Sequence, residues 1–198
     1  LKKTKEKTLF QFDPLDPFSL SSSKFSENQS KPLAREKNFL WIGTTNGLNK
    51  TNIKTGQTKR FYNGKTDIVK ADTITSILLT RDQLYIGTTK GLSITPLSQV
   101  EIKKGKTKEI CQDHVLDMFE IKEVGRVAVI LKDEILFLKN LEVVQKIKIE
   151  KTLNKVTDFK TGQYLLTSNE HKEGLFLTIE GDTTPYKKIE TPIKTTDV

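Results

Sequence analysis

Few residues in this chain carry the chemistry that a catalytic or metal site needs. Two histidines, His114 and His171, and one cysteine, Cys111, are the strongest candidates. His114 opens an inner strand and His171 falls in a hairpin loop, and neither stands in a His/Cys/Asp/Glu spacing typical of a metal site. Each is expected on the surface or lightly packed. A lone cysteine forms no intrachain disulfide and is expected as a small apolar residue. The stretch "DPLDP" at residues 13–17 offers two carboxylates, but it lacks the alternating acidic ligands and the glycine of a calcium loop. Consecutive proline turns are the better reading. "GKTD" at 64–67 ends like a phosphate loop, yet no Gly-x-x-x-x precedes Gly64 and no helix follows. No catalytic residue, metal or cofactor is expected.

What remains is a series of polar tips: Thr44, Thr45 and Asn46; Thr88, Thr89 and Lys90; Lys132 and Asp133. Hydroxyls, an amide and lysines suit a polar, sugar-like ligand, anionic ones included, provided that the fold gathers these tips on one rim.

The elements that must gather them are repeats. "LWIGTTNGL" stands at 40–48 and "LYIGTTKGL" at 84–92, 44 residues apart. Val115 and Met118 follow Ile74 and Ile77 by 41 residues, and Val156 and Phe159 follow by another 41. The second copy reads as four short strands, at 73–79, 83–88, 92–96 and 106–111, rich in Val, Ile, Leu, Tyr and Thr. Four strands per unit at a period near 40 is the signature of β-propeller blades. No segment keeps a 3.6-residue apolar period, so helices should be nearly absent. The expected fold is all-β, a β-propeller of four-stranded antiparallel blades at 30–62, 72–111, 113–150 and 154–190. Residues 1–12 would be the outer strand of a preceding or closing blade, and 195–198 would open a further one.

Blades pack face to face, so their inner strands are buried on both sides and read as continuous apolar runs. Trp41, Ile42, Gly43 and Gly47, with Tyr85, Ile86, Gly87 and Gly91, are therefore read as core and turn. Trp41 and Tyr85 should fill the wedge between blades. Gly43 and Gly87 should allow close backbone approach. Asn46-Gly47 should form a primed two-residue hairpin turn with both residues at positive φ. The tips Thr45, Asn46, Thr89, Lys90, Lys132 and Asp133 would then share one rim with the connections at 13–28 and 63–72.

"LWIGTTNGLNKTNIKTGQTKRFYNGKTD" and the lead-in "FDPLDPFSLSSSKF" resemble the two-component regulator propeller repeat, closely over 12–95 and faintly over 113–190. There "LWIGT" has decayed to "VAVIL" and "YLLTS". The resemblance implies the sensory ectodomain of a hybrid histidine kinase or related regulator. It also implies a ring of seven blades, a periplasmic or other extracytoplasmic location, and a saccharide or other small polar ligand.

Composition limits the remaining classes. Of 198 residues 35% are apolar and 29% charged, enough to bury a core. No apolar run approaches the roughly 18 residues of a membrane helix, so direct membrane insertion of this segment is not expected. The start lacks Met and an apolar stretch, which points to a piece of a longer sequence. The formal charge of +8, 33 Lys and Arg against 25 Asp and Glu, permits an anionic partner without specifying one. The lysines are scattered without interleaved aromatics, which argues against nucleic acid. A protein–protein scaffold is the alternative to a sensor. Four blades with unpaired end faces should self-associate or pair with missing blades.

Overall fold

The computed structural model describes residues 9–26, 32–102, 106–149, 155–160, 163–167, 174–178 and 186–189, with only the Tyr164 and Leu166 side chains beyond 149. The expectations for residues 1–8, for His171 and for 195–198 lie outside the described residues.

Sixteen strands are found among the described residues, in four antiparallel sheets that follow chain order. The first sheet is β1 (Leu33–Glu36), β2 (Phe39–Thr44), β3 (Gly47–Asn52) and β4 (Thr58–Phe61). The second is β5 (Ile74–Leu79), β6 (Gln83–Thr88), β7 (Gly91–Pro96) and β8 (Lys108–Cys111), with a short 3-10 turn at Leu97–Gln99. The third is β9 (Asp117–Ile121), β10 (Arg126–Ile130), β11 (Glu134–Lys139) and β12 (Glu142–Lys148). The fourth is β13 (Lys155–Lys160), β14 (Gln163–Thr167), β15 (Gly174–Thr178) and β16 (Tyr186–Ile189).

Three seams of apolar side chains join successive sheets. In the first, Trp41, Leu48 and Phe61 meet Ile74, Ile77, Leu84 and Ile86. In the second, Tyr85, Leu92 and Ile94 meet Val115, Met118, Val127 and Val129. In the third, Ala128, Ile130 and Phe137 meet Tyr164 and Leu166. Alternate residues of β6 thus serve two seams, Leu84 and Ile86 backward and Tyr85 forward, because successive strand side chains point to opposite faces. That is why the second strands read as unbroken apolar runs. The first strands of neighbouring sheets lie side by side, β1 with β5, β5 with β9 and β9 with β13.

The glycines divide this work differently from expectation. A Cβ on Gly43 would stand 2.6 Å from Ile74 Cγ2, and one on Gly87 would stand 2.7 Å from Val115 Cγ1. These two glycines admit a side chain of the next sheet rather than a backbone. Backbone approach belongs to Gly47 and Gly91, where a Cβ would press on the carbonyl oxygens of Phe61 and Cys111. Their φ angles are +117° and +127°.

The hairpin turn also differs. Its two residues are Thr45 and Asn46, with Gly47 opening β3, and Asn46 is not at positive φ. The buried Thr44 hydroxyl explains this. It accepts from the Asn46 N–H at 3.1 Å and donates to the Gly47 carbonyl at 3.0 Å, which fixes the turn without a left-handed asparagine. Thr88 repeats both bonds, to Lys90 N and Gly91 O, at 3.1 and 3.0 Å. The first threonine of each pair in "GTTNG" and "GTTKG" is therefore turn chemistry.

Gly91→Ala should destabilise the chain by more than the ~1–2 kcal/mol that an L-residue pays at left-handed φ, because it adds the overlap with Cys111. Gly56→Ala, at φ +77° with open space around its Cβ, should cost only that strain. Denaturant titration of both variants checks the difference; equal losses would remove the role given to backbone approach.

Candidate functional site

The turns after β2, β6 and β10 sit at one end of the stack because the connections tie them in series. The Gly47 N–H donates to the Asp72 carbonyl at 2.7 Å, and the Thr73 hydroxyl donates to the Thr45 carbonyl at 3.3 Å. The same connection accepts the Thr89 N–H on the Thr73 carbonyl at 3.3 Å. The next connection donates the Val115 N–H to Thr88 at 3.1 Å and the Leu116 N–H to Ile130 at 2.8 Å. At the third turn the Ile149 N–H donates to the Asp133 carbonyl at 2.8 Å.

Asn46, Thr89, Lys90, Lys132 and Asp133 are exposed on this end, and Thr45 is half-buried. Thr44 and Thr88 are fully buried and committed to their turns, so neither hydroxyl faces a ligand. The first tip is partly covered. The Thr45 N–H donates to the Lys24 carbonyl at 3.0 Å, and the Asn46 amide donates to the Ser21 carbonyl at 3.2 Å.

The long connection was expected on this rim, yet only residues 21–24 of its described part reach the turn. Residues 13–20 run beside β4. The Thr58 N–H donates to the Phe18 carbonyl, and Arg60 donates to the Asp16 and Ser19 carbonyls, each at 2.8 Å. A strand edge carries unpaired N–H and C=O groups, and this segment supplies partners to the edge of β4. "DPLDP" folds as two Asx turns, in which Asp13 and Asp16 carboxylates accept the Leu15 and Phe18 N–H groups at 2.8 Å.

One buried residue of this region escapes the motif reading. Asn49 accepts the Ser21 N–H at 2.8 Å and donates to the Ile42 carbonyl at 3.0 Å. Ser21 in turn shares a 2.8 Å hydrogen bond with Thr44. Ser93, at the same position of the second sheet, donates to the Ile68 carbonyl of its own preceding connection at 2.6 Å. The signal is a polar residue directly after Gly-Leu in both copies, where the strand is otherwise buried.

Cys111 is half-buried and its thiol is pushed up by burial, so it stays protonated. Partial burial holds His114 below its ordinary pKa, which leaves the imidazole neutral at pH 7. Among the described residues no three His, Cys, Asp or Glu side chains converge as metal ligands, and no helix is long and apolar enough to cross a membrane.

No protein-family model matches the chain, and no curated protein matches it in sequence. Solved structures do match in fold. The extracellular domain of a protein described as the hybrid two component system BT3049 from B. thetaiotaomicron aligns with TM-score 0.69 and 18% identity, over 89% of this chain and 24% of that one. The extracellular domain of BT4673 from B. thetaiotaomicron aligns with TM-score 0.64 and 18% identity, over 87% of this chain and 24% of that one. Kuenenia stuttgartiensis hydrazine synthase aligns with TM-score 0.57 and 11% identity, over 83% of this chain and 51% of that one. The chain spans about a quarter of the two extracellular domains it resembles. At such identities the likeness is one of fold, and a fold hosts many functions.

Proposed function

We propose that this chain is part of the β-propeller of a non-catalytic sensory domain in a signal-transduction regulator, displayed outside the cytoplasm. The observation that carries this reading is the likeness over 89% of the chain to an extracellular domain of a two-component system. Serial sheets packed through three like seams fit a ring that further units complete, of the seven-bladed type. The ligand site is the end where Thr45, Asn46, Thr89, Lys90, Lys132 and Asp133 lie, since exposed donors and acceptors gather there and the first two of its three turns are fixed by the buried Thr44 and Thr88. Preorganised polar groups cost little ordering on binding. The ligand is a small polar molecule, a saccharide being the best match to hydroxyl, amide and ammonium groups.

The test is binding of a panel of neutral oligosaccharides to the chain and to Lys90→Ala. The variant should bind at least about tenfold more weakly, the loss of one hydrogen bond from a charged donor. Crystals showing the saccharide at the opposite end, near Lys54 and Gln57, would overturn the location.

A further inference from the structure

At its outer margin the first seam opens into a groove of about 840 Å³, lined among others by Phe39, Lys50, Lys59, Tyr62, Lys65 and Glu101. Lysines scattered in sequence come together here. Lys50 leaves β3, Lys59 leaves β4, Lys65 stands on the connection after β4, and Arg60 lines the same groove. The Lys50 and Lys59 ammonium groups close on the two oxygens of a single carboxylate, Glu101, at 3.2 and 3.0 Å. Glu101 comes from the second sheet, on the connection between β7 and β8. The two lysines hold its carboxyl below its ordinary range, Lys59 foremost.

Lys50 is a pre-placed cation. Its side chain is only 14% exposed, lies 3.7 Å from Glu36, and sits 4.7 Å from the Phe39 ring centroid. Lys65 stands 5.3 Å from the Tyr62 ring centroid. The Glu101 side chain is 51% exposed. Such a half-exposed pair contributes little in water, and its partner exchanges at small cost. Three lysines, Lys50, Lys59 and Lys65, face two carboxylates, Glu36 and Glu101, so the groove keeps a positive charge with its own ion pairs formed. The Arg60 guanidinium is spent on the Asp16 and Ser19 carbonyls. Asn52 and Gln57 add amides along the same wall.

We infer that this groove binds an acidic oligosaccharide, whose carboxylate or sulfate group takes the place on Lys50 and Lys59 that the Glu101 carboxylate now holds. The amides meet its hydroxyls, and the Phe39 and Tyr62 rings meet its C–H faces. The inference rests on the sensory reading and adds a ligand class and a location away from the turn end.

The experiment measures binding of dextran sulfate to the chain, with unmodified dextran and polyglutamate as competitors and far-UV circular dichroism as the fold check. Glu101→Gln should tighten binding by roughly tenfold, and Lys59→Ala/Lys65→Ala should weaken it at least about tenfold, the scale of charge-assisted contacts. Both lysines are exposed, so the double variant keeps its fold. Lys122→Ala, at an exposed lysine on the turn between β9 and β10 and outside both sites, should bind dextran sulfate like the parent. No weakening in the double variant, or no change in Glu101→Gln, overturns the site. Competition by polyglutamate as strong as that of dextran sulfate itself overturns the saccharide assignment. A chain that ignores dextran sulfate but binds a neutral oligosaccharide through Lys90 loses this inference and keeps the sensory reading.

Discussion

Trp41→Ala is expected to remove about 3–5 kcal/mol of stability, the usual loss when a large buried aromatic is truncated. The indole is fully buried in the first seam and meets the Phe61 ring at a centroid distance of 5.8 Å. Its N–H donates to Glu36 at 2.9 Å, and Lys50 stands 5.1 Å from its ring. One substitution therefore empties the seam, strands a half-buried carboxylate and loosens the lysine that bridges to the second sheet. The loss should appear in denaturant titration as a lower midpoint. Trp41 is the only tryptophan, so parent fluorescence reports this seam alone and should be blue-shifted until unfolding. A solvent-like maximum in the folded parent, or a loss below about 1 kcal/mol, would contradict the packing. Phe39→Ala, at a half-buried ring on the same strand, should cost less.

The repeat was readable because architecture dictates it directly: a strand buried on both faces needs an apolar run, and a tight turn needs glycine. The decay of that motif was harder to interpret, and the third seam shows why. Where β2 has Trp41 and Gly43, the matching positions of β10 are Ala128 and Ile130, both packed in the third seam. The bulk has moved two residues along the same face. Phe137, paired with Ala128 in register, occupies the space that the small side chain leaves. Total volume is kept while the letters change, which a packed core tolerates. The polar parts were less legible. Thr44 reads as an exposed tip until its hydrogen bonds are seen, because sequence does not distinguish a hydroxyl spent on its own turn from one offered to solvent. The groove cations were hidden for a different reason. Lys50, Lys59 and Lys65 belong to three segments of the first unit, and Glu101 arrives from the second, so no local spacing signals them.

The open face of the first sheet should drive association of the isolated chain. Register matches Leu33 to Ile77, since Leu33 pairs with Ile42 as Ile77 pairs with Ile86. Ile77 is 8% exposed under the first sheet, whereas Leu33 is 51% exposed, with no sheet packed on it among the described residues. Leu84 is fully buried and its counterpart Leu40 only half-buried, so the contrast repeats along the face. Phe25, in the segment that leads into β1, is also exposed. Apolar side chains left in water at about 25 cal/mol per Å² make such a patch adhesive. Either a second copy or a further four-stranded unit can cover it, and for the chain alone only the copy is at hand. Sedimentation should therefore show a concentration-dependent dimer or larger species. Leu33→Lys combined with Phe25→Lys should shift its dissociation at least about tenfold toward monomer, because each lysine replaces a contact worth roughly 1.5–3 kcal/mol with a charge. Neither residue lies in one of the three seams, so the fold should survive the change. A compact monomer at every concentration would mean that this face needs no partner. It would then count against the ring in which further units cover both ends of the stack.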